Sequence, residues 1–325
     1  MSNDVFFLAE FVDGAPQRSA LELAAGAAAL AEQGGGQAVA LAYGAGAADG
    51  AAALGAGGSA RAVVLGDEDR PAITYAPVAA EAVRGGLAVL APATPNGRDI
   101  AAALVGRLDV PAFGPVSDVR LDGSMLRATQ ATLQGSIVTE SQPADDAAGP
   151  AVVLVLANTF TPTEGGSGSA EVSQAASVTD DPLTKATVVE SHAEEQAAVN
   201  LEEATVIVAG GRGVGGPEGF EQLEELARAL GGAVGASRAA ADAGWVPYQL
   251  QIGQTGKVVK PSLYLGAGIS GAIQHRVGMQ TAEHVVAINK DPDAPIGEFA
   301  DLFVVGDLFG IVPKLTDEIK RRKGS

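Results

Sequence analysis

The sequence predicts an α/β protein of two domains, each a mostly parallel β-sheet flanked by helices. Short apolar runs alternate with helix-like segments along most of the chain, which is the pattern of strands joined by crossover helices. Ala, Gly and Val supply most of the apolar bulk and aromatic residues make up only 4% of the chain, which favours close helix–sheet packing over a β-sandwich. With 325 residues, the chain is long enough for two such domains.

The first series of elements begins with a short apolar strand at Val5–Val12. The Ala-rich segment Ser19–Ala31 carries Leu at helical spacing and predicts a helix that Ser19 can cap. The remaining elements predicted for this domain are strands at Ala38–Tyr43, Ala62–Leu65 and Leu87–Pro92, a helix at Asn96–Arg107, and strands at Leu126–Leu133, Ser136–Thr139, Ala151–Leu156 and Ala186–Glu190.

A second series follows a Gly- and Ser-rich loop at Thr163–Ala170. We place the boundary near residue 195, which gives an N-terminal domain of residues 1–195 and a C-terminal domain of residues 196–325. The predicted strands of the second domain are Ala204–Ala209, Ala233–Gly235, Ser262–Leu265, His284–Ile288 and Leu302–Val305, and its predicted helices are Gly219–Leu230, Ser270–Gly278 and Phe309–Lys320.

Composition narrows the classes of function. The formal charge of -18, from 39 acidic and 21 basic residues, argues against binding to nucleic acid or to anionic membranes. The absence of Cys excludes disulfides, thiolate metal sites and thiol nucleophiles. The N-terminus lacks a basic segment before its apolar run, and nowhere do 18 apolar residues follow one another. We therefore expect a cytoplasmic protein that does not insert into membranes.

The acidic surface also predicts a response to salt. Few Lys residues and many small apolar residues accompany the charge, a balance typical of halophile-like proteins, although an ordinary acidic cytosolic protein is the alternative. Because salt screens the repulsion between like charges, we expect the melting temperature to climb steeply with KCl concentration. A melting temperature that does not change with KCl would contradict salt adaptation.

Three glycine-rich segments follow predicted strands of the second domain. Gly210–Gly216 opens the backbone to an anion and offers Arg212 to a phosphate, although its spacing departs from the dinucleotide fingerprint and a tight turn with a solvated Arg is the alternative. Gly253–Lys257 is too short for a phosphate-binding P-loop. Gly266–His275 is a strand-to-helix elbow at which Ser270 would face a pyrophosphate.

Neither a catalytic nucleophile nor a metal site is predicted. Gly268–Ala272 has Ala where a nucleophile elbow needs Gly.

Ser237 and Arg238 directly follow a predicted strand, where the guanidinium can lie over an aromatic ring system or form a surface salt bridge. The sequence thus indicates a holder of a large phosphate-bearing cofactor.

Together and in this order, these segments resemble the α subunit of electron-transfer flavoproteins. The resemblance is carried by Gly-Gly-Arg-Gly, Val-Gly-Ala-Ser-Arg-Ala-Ala, Gly-Gln-Thr-Gly-Lys, Gly-Ile-Ser-Gly-Ala-Ile-Gln-His, Ala-Ile-Asn-Lys-Asp and Val-Gly-Asp-Leu-Phe. It is dense over residues 204–320 and holds only in outline for the N-terminal half. It implies a Rossmann-like N-terminal domain related to adenine-nucleotide hydrolases, which contacts another subunit, and a three-layer C-terminal domain that binds FAD.

The resemblance also assigns residues to the cofactor. It places Thr255 near flavin N5, Arg238 against the isoalloxazine ring and His275 near the N1/O2 edge. The full set of residues that it implies for FAD is Arg212, Ser237, Arg238, Ile252, Gly253, Gln254, Thr255, Ser270, Gly271, Ala272, Ile273, Gln274, His275, Asn289, Asp307 and Leu308.

The implied function is that of an electron carrier without bond-making chemistry. Arg238 and His275 would supply fixed positive charge beside a reduced flavin, which stabilises negative charge most strongly in a water-poor site. The implied partners are a β subunit, dehydrogenases such as the acyl-CoA dehydrogenases of fatty acid β-oxidation as donors, and a membrane quinone oxidoreductase as acceptor. The alternatives are a subunit of a flavin-based bifurcating complex and a non-redox nucleotide-binding module.

Overall fold

The computed structural model describes residues 2–133, 137–144, 147–163, 165–190 and 201–324. The chain divides into two compact units, the first formed by Met1–Ala131 with Val138–His192 and the second by Thr132–Ile137 with Ala193–Ser325. The boundary predicted near residue 195 lies outside the described residues.

A mostly parallel sheet forms the centre of the first unit, as predicted. Its strands run in the order β11-β4-β3-β1-β5-β10-β6, with β2 antiparallel beside β1, while β7, β8 and β9 form a separate sheet. The strands are β1 Val5–Val12, β2 Ala15–Pro16, β3 Ala38–Tyr43, β4 Arg61–Gly66, β5 Ala88–Pro92, β6 Ala112–Val116, β7 Asp118–Asp122, β8 Met125–Thr132, β9 Ile137–Ser141, β10 Ala151–Val155 and β11 Glu171–Gln174. The helices are α1 Arg18–Gly34, α2 Ala47–Gly50, α3 Ala76–Ala82 and α4 Pro95–Leu108.

Helix α1 shows how this sequence builds the first unit. Leu23, Ala27 and Leu30 recur at helical spacing and are buried against the sheet. The helix ends where Gly35 adopts a left-handed conformation and its N–H bonds back to the last turn. The prediction that Ser19 caps this helix is wrong: the N-cap position is Gln17, and Ser19 is buried within the first turn.

One predicted strand of this unit is absent from the structure. Residues Ala186–Glu190 lie outside any helix or strand. Val188 and Val189 are 54% and 96% exposed. Apolar residues stabilise a strand by packing against neighbours, so their exposure removes the basis for the prediction.

The second unit contains a five-stranded parallel sheet. Its strands run in the order β13-β12-β14-β15-β16. They are β12 Val206–Gly210, β13 Ala233–Ala236, β14 Leu263–Ala267, β15 His284–Asn289 and β16 Leu302–Val305, and the helices are α5 Pro217–Leu230, α6 Arg238–Asp242, α7 Ile273–Arg276 and α8 Leu308–Lys323.

The two faces of this sheet are covered differently. Val208 faces a core built largely from α5 and α8, to which Leu223 and Val312 contribute. The neighbouring residue Ile207 faces the other core, which is built mainly from irregular segments and includes Ile252 and Tyr264. Side chains alternate across a strand, so the apolar run of β12 stabilises both layers.

Helix α7 is much shorter than predicted. The sequence predicts a helix over Ser270–Gly278, but only Ile273–Arg276 is helical. Gly271 has a φ of 82°, which lies outside the helical region, and an added Cβ there would lie 2.5 Å from the Ile296 backbone. The close approach of residues 271 and 296 therefore holds the backbone in a bend and delays the start of the helix.

Candidate functional site

The site lies where the loops after β12 and β14 touch. Gly211 N–H donates to the Ala267 carbonyl at 2.9 Å, and Gly213 N–H donates to the Gly268 carbonyl at 3.0 Å. An added Cβ on Gly213 would lie 2.7 Å from the Gly268 Cα atom, and Gly268 itself has a φ of 62°. Only glycine fits this contact without displacing backbone, so the sequence fixes the two loops against each other.

This contact coincides with the topological switch point of the second sheet. The chain runs from β12 outward to β13 on one side and returns to β14 on the other. In open parallel sheets, ligands bind beyond the carboxyl ends of the strands at the place where the strand order reverses. The carboxyl ends of β12 and β14 are therefore the expected position for a ligand in this fold.

A cavity of about 840 Å³ opens at this position. Its volume is within the usual range for pockets that hold large small-molecule ligands. The residues that line it are Arg212, Gly213, Ser237, Arg238, Ala239, Asp242, Gly268, Ile269, Ser270, Ala272, Gln274, His275, Asn289, Lys290, Asp291, Ala294 and Pro295.

Two polar atoms of the cavity lining are buried without a hydrogen-bond partner. They are Ser237 Oγ and His275 Nδ1. A buried polar group without a partner costs about 1–3 kcal/mol, so such atoms call for an explanation. Both belong to residues that line one cavity, so both are candidates for hydrogen bonds to a polar ligand bound there. These residues therefore fit a polar cofactor.

His275 is held by a buried tyrosine. The Tyr264 hydroxyl lies 2.6 Å from His275 Nε2, and both side chains are buried. Burial lowers the pKa of His275 to about 4, with the backbone carbonyl of Ile252 acting in the opposite direction. The expectation that His275 supplies a fixed positive charge is therefore wrong, because the ring is neutral at neutral pH. It can serve a ligand as a hydrogen-bonding group.

The positive charges of the lining come from residues at three strand ends. Arg212, Arg238 and Lys290 follow β12, β13 and β15, and all three are exposed. Arg238 Nε donates to Asp242 Oδ2 at 3.2 Å, one helical turn further on, and Asp242 Oδ1 accepts from the Tyr248 hydroxyl at 2.9 Å. Cations at the rim suit a ligand that carries phosphates, and the aspartate limits the net charge that Arg238 presents.

The structure brings half of the predicted site residues together. The eight that line the cavity are Arg212, Ser237, Arg238, Ser270, Ala272, Gln274, His275 and Asn289. Asn289 is oriented by its own contacts, since its Nδ2 donates to the Ile269 carbonyl at 2.9 Å and its Oδ1 accepts from Asp291 N–H at 3.1 Å.

The other eight lie outside the lining, namely Ile252, Gly253, Gln254, Thr255, Gly271, Ile273, Asp307 and Leu308. Ile252 is a fully buried core residue, so only its backbone is available to a ligand. Thr255 Oγ1 accepts from Gln251 Nε2 at 2.9 Å, and Gln254 N–H donates to the Gln274 carbonyl at 2.8 Å. The first bond lies within the turn, and the second attaches the turn to helix α7, which carries His275.

Two of these eight residues, Asp307 and Leu308, lie at the start of helix α8. Asp307 caps α8 through Phe309 N–H, and Leu308 is buried beside Gly268, where an added Cβ would lie 3.1 Å from the Leu308 side chain. Leu308 therefore supports the loop that follows β14. Their predicted role towards the adenosine end of the cofactor stays a prediction.

Sequence reasoning missed several lining residues. Gly213 and Gly268 stand inside segments that were singled out, and their position after parallel strands is the signal that could have selected them. Asp242 lies four residues after Arg238, the spacing of a helical ion pair. The others are Ala239, Ile269 and Lys290, which each adjoin a predicted residue in sequence, and Asp291, Ala294 and Pro295, which lie two to six residues after Asn289.

Within the described part of the chain, His, Asp and Glu residues do not gather into a group of three or more that could hold a metal ion. The same residues contain no helix with the length and apolar character needed to cross a membrane.

The fold and the cavity together define an α/β domain with a site at its switch point that suits a large phosphate-bearing cofactor. Comparison with known proteins identifies the class. Residues 200–280 match the family described as the electron transfer flavoprotein FAD-binding domain, and residues 5–180 match the family described as the electron transfer flavoprotein domain.

Individual relatives agree with this assignment. An electron transfer flavoprotein subunit alpha from Mycobacterium leprae is 46% identical over 243 residues, which are 73% of this chain and 72% of the relative. A subunit alpha from Bacillus subtilis is 43% identical over 232 residues, 70% of this chain and 69% of the relative. A mitochondrial subunit alpha from Dictyostelium discoideum is 61% identical over 123 residues, 38% and 35% of the two chains.

The chain belongs to the electron transfer flavoprotein α-subunit family, and its cofactor is FAD.

Proposed function

We propose that this chain is the FAD-holding subunit of a two-subunit electron carrier, completed by a β subunit. It accepts electrons from dehydrogenases, such as acyl-CoA dehydrogenases, and passes them to a membrane quinone oxidoreductase. The observation that carries the proposal is the pair of unpartnered buried atoms, Ser237 Oγ and His275 Nδ1, in a cavity at the switch point of a family FAD-binding domain. The relatives are named as α subunits, which supports a partner chain.

Different lining residues would bind different parts of the cofactor. FAD, when bound, supplies the redox chemistry by taking up and releasing electrons. Arg212 and Lys290 would neutralise its phosphates, and Ser237 would hydrogen-bond to the phosphate side. Arg238 would supply positive charge beside the ring system, and His275 would supply a hydrogen bond at the ring's oxygen-bearing edge. The chain binds, orients and shields the cofactor, and we propose no bond-making chemistry of its own.

The domain division and the location belong to the same proposal. Residues 1–195 would form the domain that contacts the partner subunit, and residues 196–325 the domain that holds FAD. The family matches to residues 5–180 and 200–280 support a division between them. We also propose that the protein is cytoplasmic, where a carrier can reach both dehydrogenases and a membrane-bound acceptor.

The function is tested by electron transfer. The chain is purified together with the protein encoded beside it, and its flavin absorbance is followed after mixing with a reduced acyl-CoA dehydrogenase. We expect the flavin to be reduced and then reoxidised by a quinone oxidoreductase, with one FAD per pair of chains. A second redox flavin in the partner would indicate a bifurcating complex. Failure to bind FAD would indicate a non-redox nucleotide module.

Arg238→Ala should lower the reduction potential of the bound FAD. A positive charge near the ring favours the reduced, more negative cofactor. Because Arg238 is exposed and paired with Asp242, we expect a modest loss of about 1 kcal/mol, or about 40 mV for one electron. The measurement is a redox titration of the wild-type and variant complexes.

Arg276→Ala is the matched control for this prediction. Arg276 also carries one positive charge in the second unit, but its guanidinium lies over the Phe299 ring and it does not line the cavity. We expect the reduction potential of FAD in the Arg276→Ala complex to equal that in the wild-type complex. Equal reduction potentials in the Arg238→Ala and wild-type complexes would show that Arg238 does not supply positive charge beside the flavin.

A further inference from the structure

Tyr264 and His275 form a buried pair beneath the cavity. Tyr264 lies on β14 and is completely buried, and His275 lies on α7 and is 7% exposed. The hydroxyl and Nε2 are 2.6 Å apart, which is a short hydrogen bond between side chains. Filling this core position does not itself require a hydroxyl, since a large apolar side chain would occupy the same space. The hydroxyl therefore calls for its own explanation.

The direction of this hydrogen bond follows from the surroundings of the hydroxyl. If His275 donated from Nε2–H, the Tyr264 O–H proton would need a second acceptor, and the contacts of the described residues provide only His275. A buried donor without an acceptor costs about 1–3 kcal/mol. Burial also raises the pKa of Tyr264 well above its ordinary value, so the phenol keeps its proton. Tyr264 is therefore the donor and Nε2 the acceptor.

The direction of this hydrogen bond determines the tautomer of His275. A neutral imidazole has one protonated and one unprotonated nitrogen, and the hydrogen bond made at one selects the state of the other. With Nε2 accepting, the proton is on Nδ1. Nδ1 makes no hydrogen bond within the usual distance and angle limits, although the Ile252 backbone carbonyl lies near enough to the ring to oppose the lowering of its pKa, and His275 lines the cavity. With Nε2 occupied by Tyr264, Nδ1–H is the ring donor that remains for a ligand in that cavity.

We propose that Tyr264 is a positioning residue that fixes His275 in the Nδ1–H tautomer and so presents an N–H donor to the oxygen-bearing edge of FAD. The inference rests on the proposed function for the identity of the acceptor, but the tautomer is a property of the chain itself. Reduction places more negative charge on the flavin oxygens, so a fixed donor binds the reduced cofactor more tightly than the oxidised one.

The tautomer is measured in the full-length chain after removal of FAD. The chain has three histidines, so long-range proton–nitrogen NMR spectra of a ¹⁵N-histidine sample are simple to interpret. Loss of one set of signals in His275→Gln assigns the residue. We expect a protonated Nδ1 and an unprotonated Nε2 in the wild type, and a loss of this single state in Tyr264→Phe. A protonated Nε2 in the wild type would overturn the proposal.

The effect on the cofactor is measured in the FAD-loaded complex. We expect Tyr264→Phe to weaken binding of reduced relative to oxidised FAD about tenfold, which lowers the two-electron potential by about 30 mV. Tyr43→Phe is the matched control, because Tyr43 is also buried and its hydroxyl bonds to Glu10 in the first unit. The two-electron potential of FAD in the Tyr43→Phe complex should equal that in the wild-type complex. An unchanged potential in Tyr264→Phe would overturn the positioning role.

The two measurements separate this inference from the proposed function. The NMR experiment needs no bound flavin, so a wrong tautomer overturns the inference even if the protein carries electrons normally. A correct tautomer in a chain that cannot bind FAD would instead overturn the proposed function.

Discussion

Gly213→Ala is expected to weaken FAD binding by roughly 5- to 150-fold, the range that corresponds to an overpacking cost of about 1–3 kcal/mol. The added Cβ would lie 2.7 Å from the Gly268 Cα atom, and the obstructing atom is backbone, which cannot rotate away. The loops after β12 and β14 must therefore separate, although they are joined by the hydrogen bond from Gly213 N–H to the Gly268 carbonyl. Both loops line the cavity, so the separation changes its shape.

The measurement is FAD binding to the apo-complex, followed by quenching of flavin fluorescence. Gly310→Ala is the control, because Gly310 lies in α8 with no atom within 4 Å of an added Cβ. It should bind FAD as tightly as the wild type. Equal affinities for Gly213→Ala and Gly310→Ala would show that the contact of the two loops does not shape the binding site.

His275→Gln is expected to remove a pH-dependent part of the stability of the second unit. Burial lowers the folded-state pKa of His275 to about 4 from an ordinary value of 6.5. Between these values the unfolded chain binds a proton that the folded chain does not, so stability falls as the pH decreases from 6.5 to 4. The shift corresponds to a loss of about 3 kcal/mol in the free energy of unfolding. This loss is complete below pH 4 and absent at pH 7.

Unfolding in urea at pH 7 and pH 4.5 measures this contribution. Trp245 is the single tryptophan of the chain and packs in a core of the second unit, so its fluorescence reports the unfolding of that unit. The wild type should lose about 2 kcal/mol or more beyond His275→Gln over this range, because titration of the carboxylates is common to both proteins. His284→Gln, at an exposed position, should behave like the wild type. Equal losses in the wild type and His275→Gln would contradict the neutral, buried state of His275.

The sequence was sufficient to predict the sheet of the second unit and the edge of that sheet at which a cavity opens. Apolar runs such as those of β12 and β14 are short, rich in Val, Ile and Leu, and followed by glycine, which indicates buried parallel strands with turns at their carboxyl ends. Since those ends share one edge of the sheet, Arg212, Ser237 and Ser270 could be expected near each other. The structure confirms that all three line one cavity.

What could not be predicted depends on contacts distant in sequence. Helix α7 starts late because Gly271 packs against Ile296, which lies 25 residues further along the chain. The neutral state of His275 depends on its burial, and its hydrogen bond depends on the Tyr264 hydroxyl; residue types alone report neither. Ile252 stands next to a glycine-rich turn in sequence, yet its side chain belongs to the core. In each case tertiary packing overrides the local pattern.

We propose that FAD occupies the cavity at the switch point of the second unit. Hydrogen–deuterium exchange of the full chain with its partner, with and without FAD, tests this claim directly, because a bound ligand slows exchange in the backbone that it orders. We predict slower exchange in residues 210–214, 237–242, 268–275 and 289–291, and unchanged exchange in residues 2–131. Slower exchange confined to the first unit, with these four segments unaffected while FAD is bound, would contradict the account.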